Sequence, residues 1–468
     1  MRYRFFSAYP ILPALSFEGS ALRLPAGFSA GVGLFFFSFL LPFLLLSPAF
    51  AQSPQLTALK AARLVDGKSS TVLNNAVLIV ESNKIKSVGA NLPIPAGAKV
   101  IDLGDATLLP GLIDVHTHLL SEMDGTNLTL QDVEMLRIVA SQSTAERALL
   151  GAKLAREVLE SGITTVRDLG NSGVNGDVAL RNAIDRGWLS GPRMIVSTRA
   201  LAAQGGQFGH LTPEAQPIIE QEYVVIHGAE SARQAVRQAL YDGASCVKVI
   251  VNGSPADVTL DELKAIVEEA HAYNRKVAAH AIGNRATRTA ADAGVDSIEH
   301  AYTVPDDVLK TMAEKHIYLV PTDGILQTYV DMTIGARQAT ADERSKLEAL
   351  YRPFVERSRE RLLRAIKFGV PIAAGSDMYL SMPHMNRGQA SLLLYDAFAA
   401  AGMTPVQIIQ AATSNAADLL GIADTVGILE PGKFADIIAV PGDASHSVSA
   451  LQHATFVMHS GSIAKSPK

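Results

Sequence analysis

The sequence predicts an α/β chain: a (β/α)8 barrel carrying a small discontinuous β-sandwich built from both chain ends. Three observations lead there. The middle of the chain alternates short apolar runs with helical patterns, as parallel strands joined by crossover helices do. Eight such runs are present, the number that closes a barrel. Both chain ends instead carry strand-like runs separated by Gly, Pro and Asn turns, too few on either side to close a core alone. The rival arrangement is an open doubly wound sheet. The G-x-G-x-x-G phosphate fingerprint that such a sheet often carries is absent from the first βα turn.

Residues 1–51 read as a targeting segment. Arg2, Arg4 and Arg23 precede an apolar run over 32–46, and Ala49-Phe50-Ala51 supplies a small-x-small cleavage pattern before Gln52. Ser38 and Pro42 interrupt a run already short for a bilayer span, which favours cleavage over a permanent anchor. The expected destination is export, to the periplasm in a Gram-negative host, without stable membrane association once the signal is removed. Ten of the 16 phenylalanines fall in the first 50 residues. The body is therefore filled mainly by aliphatic side chains.

The first sandwich part is expected over 52–108, with runs at 77–80, 85–88 and 100–103, and the second over 425–468, with runs at 435–440 and 454–459. The barrel occupies 109–424. Its candidate strands are 107–118, 163–169, 193–200, 245–251, 276–281, 296–300, 317–321 and 371–377. Helical patterns at 144–159, 231–240, 260–272, 285–293, 306–315 and 346–367 separate many of them. Gly162, Gly243, Gly294 and Gly369 follow helices at the place of a left-handed C-cap.

Composition removes several classes of function. At 48% hydrophobic and 19% charged residues the chain is too apolar to be mainly disordered. A net charge of −5 without a basic block gives nucleic acid no footprint. The single Cys246 excludes an internal disulfide and a cysteine-built zinc site. Cys246 is read as small core filler.

A barrel places catalytic groups at the C-terminal ends of its strands, and chemistry-bearing residues fall there. His116 and His118 close the first strand in PGLIDVHTH, two apart and so on one face, able to grip one ion. Lys248 lies in CVKV, His280 in VAAH, His300 in SIEH and Asp377 in GSD, each at or near the end of an assigned strand.

These motifs, in this order and spacing, resemble the metal-dependent amidohydrolase superfamily over essentially the whole chain after the leader. GMTP at 402–405, AATSN at 411–415 and EPGKFAD at 430–436 look like its C-terminal signature. The resemblance implies two divalent metal ions, zinc by default with manganese or cobalt open. His116, His118 and Asp377 would hold one ion, and His280 and His300 the other. N6-carboxylated Lys248 would bridge them, since an ammonium has no lone pair to offer. It further implies a metal-bridging hydroxide as nucleophile and Asp377 as proton shuttle.

Within the superfamily the chain looks most like the branch of Xaa-Pro dipeptidase-like and imidazolonepropionase-like members that includes ochratoxin-hydrolysing amidases. The implied substrate is an N-acyl amino acid or dipeptide with a free C-terminal carboxylate, with ring-opening of a cyclic amide as the alternative. The partner is thus a small molecule or dipeptide, and a homo-oligomer is compatible with the pattern. A free carboxylate asks for fixed cations or donors. Candidates are His210, Tyr223 and His227 after strand three, Arg288 after strand five, and His384 and Arg387 after strand eight. Two departures from the branch stand out: Gln207-Phe208-Gly209 displaces the histidine of a Gly-Gly-His loop to 210, and Ile282 replaces a second histidine after strand five. Asp168 and Glu299 are candidates to support the ligands from behind.

Overall fold

The computed structural model describes residues 55–123, 131–208, 210–253 and 256–467. The expected leader lies outside them. Among the described residues no helix is long and apolar enough to cross a membrane.

The barrel is built from parallel strands in chain order: Leu112–Thr117, Ile163–Asp168, a third in two pieces (Arg193–Val196 and Ala200–Ala202), Val247–Ile250, Val277–Ala281, Ser297–His300 and Tyr318–Val320. Every neighbouring pair runs parallel. The third strand breaks at Thr198, whose φ of 61° is left-handed. Buried Asp177 accepts a 2.8 Å hydrogen bond from the Thr198 amide at that point. The eighth segment, 371–377, lacks a regular ladder yet bridges strands seven and one. Ala373 N donates to Leu319 O (3.1 Å), and Asp377 N donates to His116 O (2.8 Å).

Local chemistry explains where the helices start and stop. Ser143 with Glu146, Thr259 with Glu262 and Thr340 with Glu343 form reciprocal capping boxes, opening the helices Thr144–Glu160, Leu260–Ala272 and Ala341–Lys367. The four glycines expected after helices all have positive φ, between 76° and 107°. The helices pack Leu154, Val158, Leu263, Ile266 and Leu362 against the outside of the barrel.

The two chain ends meet in one hydrogen-bonded sheet of eight strands. Leu56–Val65 pairs antiparallel with Val72–Glu81 and parallel with Ala106–Pro110. Ala106–Pro110 in turn pairs antiparallel with Ile437–Pro441, which joins the ends. Leu59, Leu78, Ile85, Leu108, Ile437, Phe456 and Met458 make this sheet's own core. The single strand expected at 107–118 is a correction: it is two strands divided at Gly111, one in the sheet and one in the barrel. The Gly111 amide is turned aside to donate to Asp436 O at 2.8 Å. A Cβ there would sit 2.1 Å from Thr164 Oγ1, so only glycine lets the chain cross between the two units.

Candidate active site

His116, His118, Lys248, His280, His300 and Asp377 converge at the C-terminal strand ends, on the wall of a cavity of about 660 Å³. Alternation along strand one turns both histidines inward. Strand eight can approach His116 because residue 375 is glycine; a Cβ there would lie 2.8 Å from the His116 Cβ. Asp377 Oδ1 stands 3.2 Å from His118 Nε2 and 3.5 Å from His116 Nε2, and its Oδ2 is 3.8 Å from His300. Lys248 Nζ is 3.4 Å from His116 Nε2, and the His280 and His300 rings are 4.6 Å apart. His300 (φ 68°) and Asp377 (φ 50°) both adopt the left-handed backbone region. Such conformations cost on the order of 1 kcal/mol each and persist where the surroundings impose them.

Burial dominates the electrostatics. It pushes the Lys248 ammonium down to about 8, outweighing the nearby carboxylates of Glu299 and Asp377. It lowers His280 to about 3 and takes His116 and His300 well below the ordinary imidazole range. His118 goes the other way: burial pulls it down, but the hydrogen bond and charge of Asp377 carry it above its usual value. The Asp377 carboxyl is resisted by burial and yet held low by His116, His118 and Lys248.

Each inner ring is gripped from behind. His116 Nδ1 is 2.7 Å from Glu299 Oε2, His118 Nδ1 is 2.9 Å from Gly170 O, and His300 Nδ1 is 2.8 Å from Thr322 Oγ1. Asp168 works one step further out, accepting from Thr117 Oγ1 and from the Leu119 amide on either side of His118. For His116 and His118 this leaves Nε2 pointing at the Asp377 carboxylate. With Asp377, one donor atom from each lies within 4.8 Å of the others, a set able to hold a divalent ion.

The upper wall is aromatic, and the sequence reading did not anticipate it. Tyr302 packs edge-on to Phe354 (ring centroids 4.9 Å), Phe354 to Tyr329 (5.4 Å), and Tyr329 leans on Tyr351 (5.8 Å). The available signal was the Leu350-Tyr351-x-x-Phe354 run inside an otherwise highly charged helix. Met123, Met135 and Met332 complete an apolar lining.

Of the six substrate-binding candidates, one reaches this cavity. Tyr223 lines it, with its hydroxyl 3.3 Å from Gln207 Oε1. His210 is exposed and is not among the lining residues. Arg288 is a correction: it lies on the outer face of the helix Asn284–Ala293, paired with Asp307 at 2.7 Å. His384 is another, lining a separate depression of about 260 Å³. Arg387 is buried but spends its guanidinium on the backbone carbonyls of His118, Ser121 and Met378. Among the described residues Lys248 is the only lysine or arginine lining the cavity. His227 does not line it either.

A parallel-stranded barrel that gathers inward-facing nitrogen and oxygen donors at one rim, on the wall of a largely apolar cavity, has the layout of an enzyme active site. The comparisons make the class specific: residues 107–465 match the amidohydrolase family, and the chain belongs to it as a hydrolase of amide bonds. An ochratoxinase from Aspergillus niger is 30% identical over 437 residues, 86% of this chain and 85% of that protein. Its crystal structure aligns with a TM-score of 0.73 at 27% identity, covering 89% of this chain and 97% of that one. A Xaa-Pro dipeptidase crystallised with methionine in its active site gives a TM-score of 0.73 at 29% identity, over 87% of this chain and 99% of that one. An imidazolonepropionase from Pyrobaculum arsenaticum is 26% identical over 393 residues, 78% of this chain and 86% of that protein.

Proposed function

We propose that the chain is an exported, periplasmic amidohydrolase with two divalent ions, zinc by default, that cleaves N-acyl amino acids or dipeptides bearing a free C-terminal carboxylate. The observation that carries this is the convergence of six ligand-type side chains beneath an aromatic cavity. His116, His118 and Asp377 would hold one ion, His280 and His300 the other, with carboxylated Lys248 between them. A Lys248 amine lowered to about 8 is partly neutral near physiological pH, the form that reacts with carbon dioxide, which supports that modification. The ions would contribute Lewis acidity toward water and toward the scissile carbonyl.

The chain's own residues do the rest. Asp377, between His116 and His118, takes the proton from the attacking water at a carboxylate oxygen and returns it to the leaving amine. Tyr302, Tyr329 and Phe354 receive the acyl group or side chain and exclude water from it. The ions would offer charge to the substrate carboxylate, and hydroxyls such as that of Tyr223 meet it; among the described residues no guanidinium lines the cavity.

The test is a hydrolysis panel on the metal-loaded protein comparing N-acyl amino acids, Xaa-Pro, Xaa-Phe and Xaa-Arg dipeptides, and cyclic amides. Release of a free amino acid from the open-chain compounds is expected. Ring-opening alone would replace this reading with the cyclic-amide one, which the imidazolonepropionase relative favours. Asp377→Asn with full turnover and both ions bound would remove the proton-shuttle role.

A further inference from the structure

Behind His116 lies a polar chain that the proposed reaction does not use. Arg167 on strand two, Ser297 and Glu299 on strand six, and His116 on strand one are all essentially inaccessible to solvent. Arg167 Nη2 donates to Glu299 Oε1 at 2.8 Å, and Arg167 Nη1 donates to Ser297 Oγ at 3.2 Å. The other carboxylate oxygen, Oε2, is 2.7 Å from His116 Nδ1. Arg167 Nε donates to Val115 O at 2.6 Å, one residue before the same histidine. The guanidinium thus holds His116 twice, through its ring and through its strand.

Burying an arginine–carboxylate pair costs several kcal/mol in desolvation, and an apolar pair of equal volume often serves stability as well or better. An apolar pair could not accept the Nδ1 proton. A carboxylate behind an imidazole fixes its tautomer, aims Nε2 and strengthens it as a donor. At the same atom His118 is hydrogen-bonded to a carbonyl and His300 to a hydroxyl, with the Asp377 carboxylate beyond hydrogen-bond reach of His300 at 3.8 Å. We infer that Arg167 and Glu299 are positioning residues that make the ion position served by His116 the tighter of the two. This rests on the two-ion reading above.

The test is zinc titration of the full chain against a chelating indicator, with metal content by mass spectrometry and melting of the metal-free protein. Wild type is expected to bind two ions unequally. Glu299→Gln should weaken the tighter position by about 10–100-fold, the usual cost of losing such a partner, and leave the weaker one unchanged. The cobalt-loaded variant should show an altered visible spectrum. Should Glu299→Gln lower the melting point by leaving Arg167 unpaired, the Arg167→Met/Glu299→Gln double variant removes both charges and carries the same comparison. Wild-type affinities at both positions, or an equal loss at both, would overturn the relay. A wild-type chain that binds no ions would overturn the two-ion reading instead.

Discussion

Two regions of this molecule bury charge, and they treat it in opposite ways. At the seam between barrel and sandwich, Asp436 is surrounded by partners. Arg193 Nη1 pairs with one oxygen, while the Ser460 amide (2.7 Å) and His459 Nδ1 (3.1 Å) approach the other. Burial alone would raise its pKa, but His459 and Arg193 hold it down at about 2. At the rim, Lys248 is as deeply buried, and its nearest polar partner is an imidazole rather than an anion. The seam charge is satisfied within the fold. At the rim the partners are imidazoles instead of opposite charges: Asp377 Oδ1 meets His118 and His116 at 3.2 and 3.5 Å, and Lys248 Nζ meets His116 at 3.4 Å.

The sharpest way to break this contrast is to replace Lys248 with an apolar side chain of similar length. Lys248→Met should abolish turnover to background and cut ion content, while raising the stability of the metal-free chain by about 1–2 kcal/mol as a buried amine disappears. Activity assays, metal analysis and chemical denaturation of the apo form check the three parts. A less stable Lys248→Met chain would mean the amine is well satisfied, and the contrast would fail.

Asp436→Asn should do the reverse. Removing one partner from a buried network of this kind costs about 3–5 kcal/mol, while activity per folded molecule stays within about two-fold. The pH dependence follows from the sign of the shift. With a folded pKa of about 2 against roughly 3.9 for an unfolded aspartate, the ionised group contributes stability above about pH 4. That contribution fades as pH falls toward 2. The stability gap between wild type and Asp436→Asn should therefore narrow across this window. A gap independent of pH would show that the pairing is not electrostatic.

The same contrast marks what could be read from the sequence. The six rim residues were legible because strand periodicity and strand ends are local properties: a histidine two after a histidine shares its face whatever surrounds it. Helix ends were legible through capping boxes and glycines. Partners across the barrel were not. Arg167 reaches Ser297 and Glu299, 130 and 132 residues away, and its only local sign was an arginine inside the strand Ile163–Asp168. Asp436 was visible only as part of a signature, without its seam role. Substrate candidates were legible only in part for a related reason: Tyr223 lines the cavity, whereas Arg288 on its helix and His384 face elsewhere, because the direction of a residue after a strand is set by packing rather than by its neighbours in sequence.

A smaller effect tests the aromatic wall, which resembles the seam in being internally satisfied. Phe354→Ala removes the ring that touches both Tyr302 and Tyr329. Aromatic contacts of this kind contribute about 1 kcal/mol beyond area burial. The expected result is roughly a ten-fold rise in KM for substrates with an aromatic acyl group or side chain, with ion content unchanged and little change for an acetyl analogue. Equal losses for both substrates would mean that the wall shapes the site without contacting substrate.

The smallest expected effect is the one that decides where recognition of the carboxylate resides. Arg288 forms its ion pair with Asp307 at the surface, where solvent and salt screen the attraction. The guanidinium is committed to both carboxylate oxygens, at 2.7 and 3.1 Å, so it has no geometric reason to swing toward strand five. Arg288→Ala should leave kcat, KM and the melting temperature indistinguishable from wild type, and its KM should show no new salt dependence. Tyr223, by contrast, lines the cavity, and Tyr223→Phe removes the hydroxyl there. If KM for carboxylate-bearing substrates rises in Tyr223→Phe but not in Arg288→Ala, the hydroxyl lining the cavity meets the substrate and the surface cation does not. If Arg288→Ala instead raises KM selectively for those substrates, the helix Asn284–Ala293 must move inward when substrate binds, and the division between an ion-paired exterior and an imidazole-lined rim would have to be redrawn.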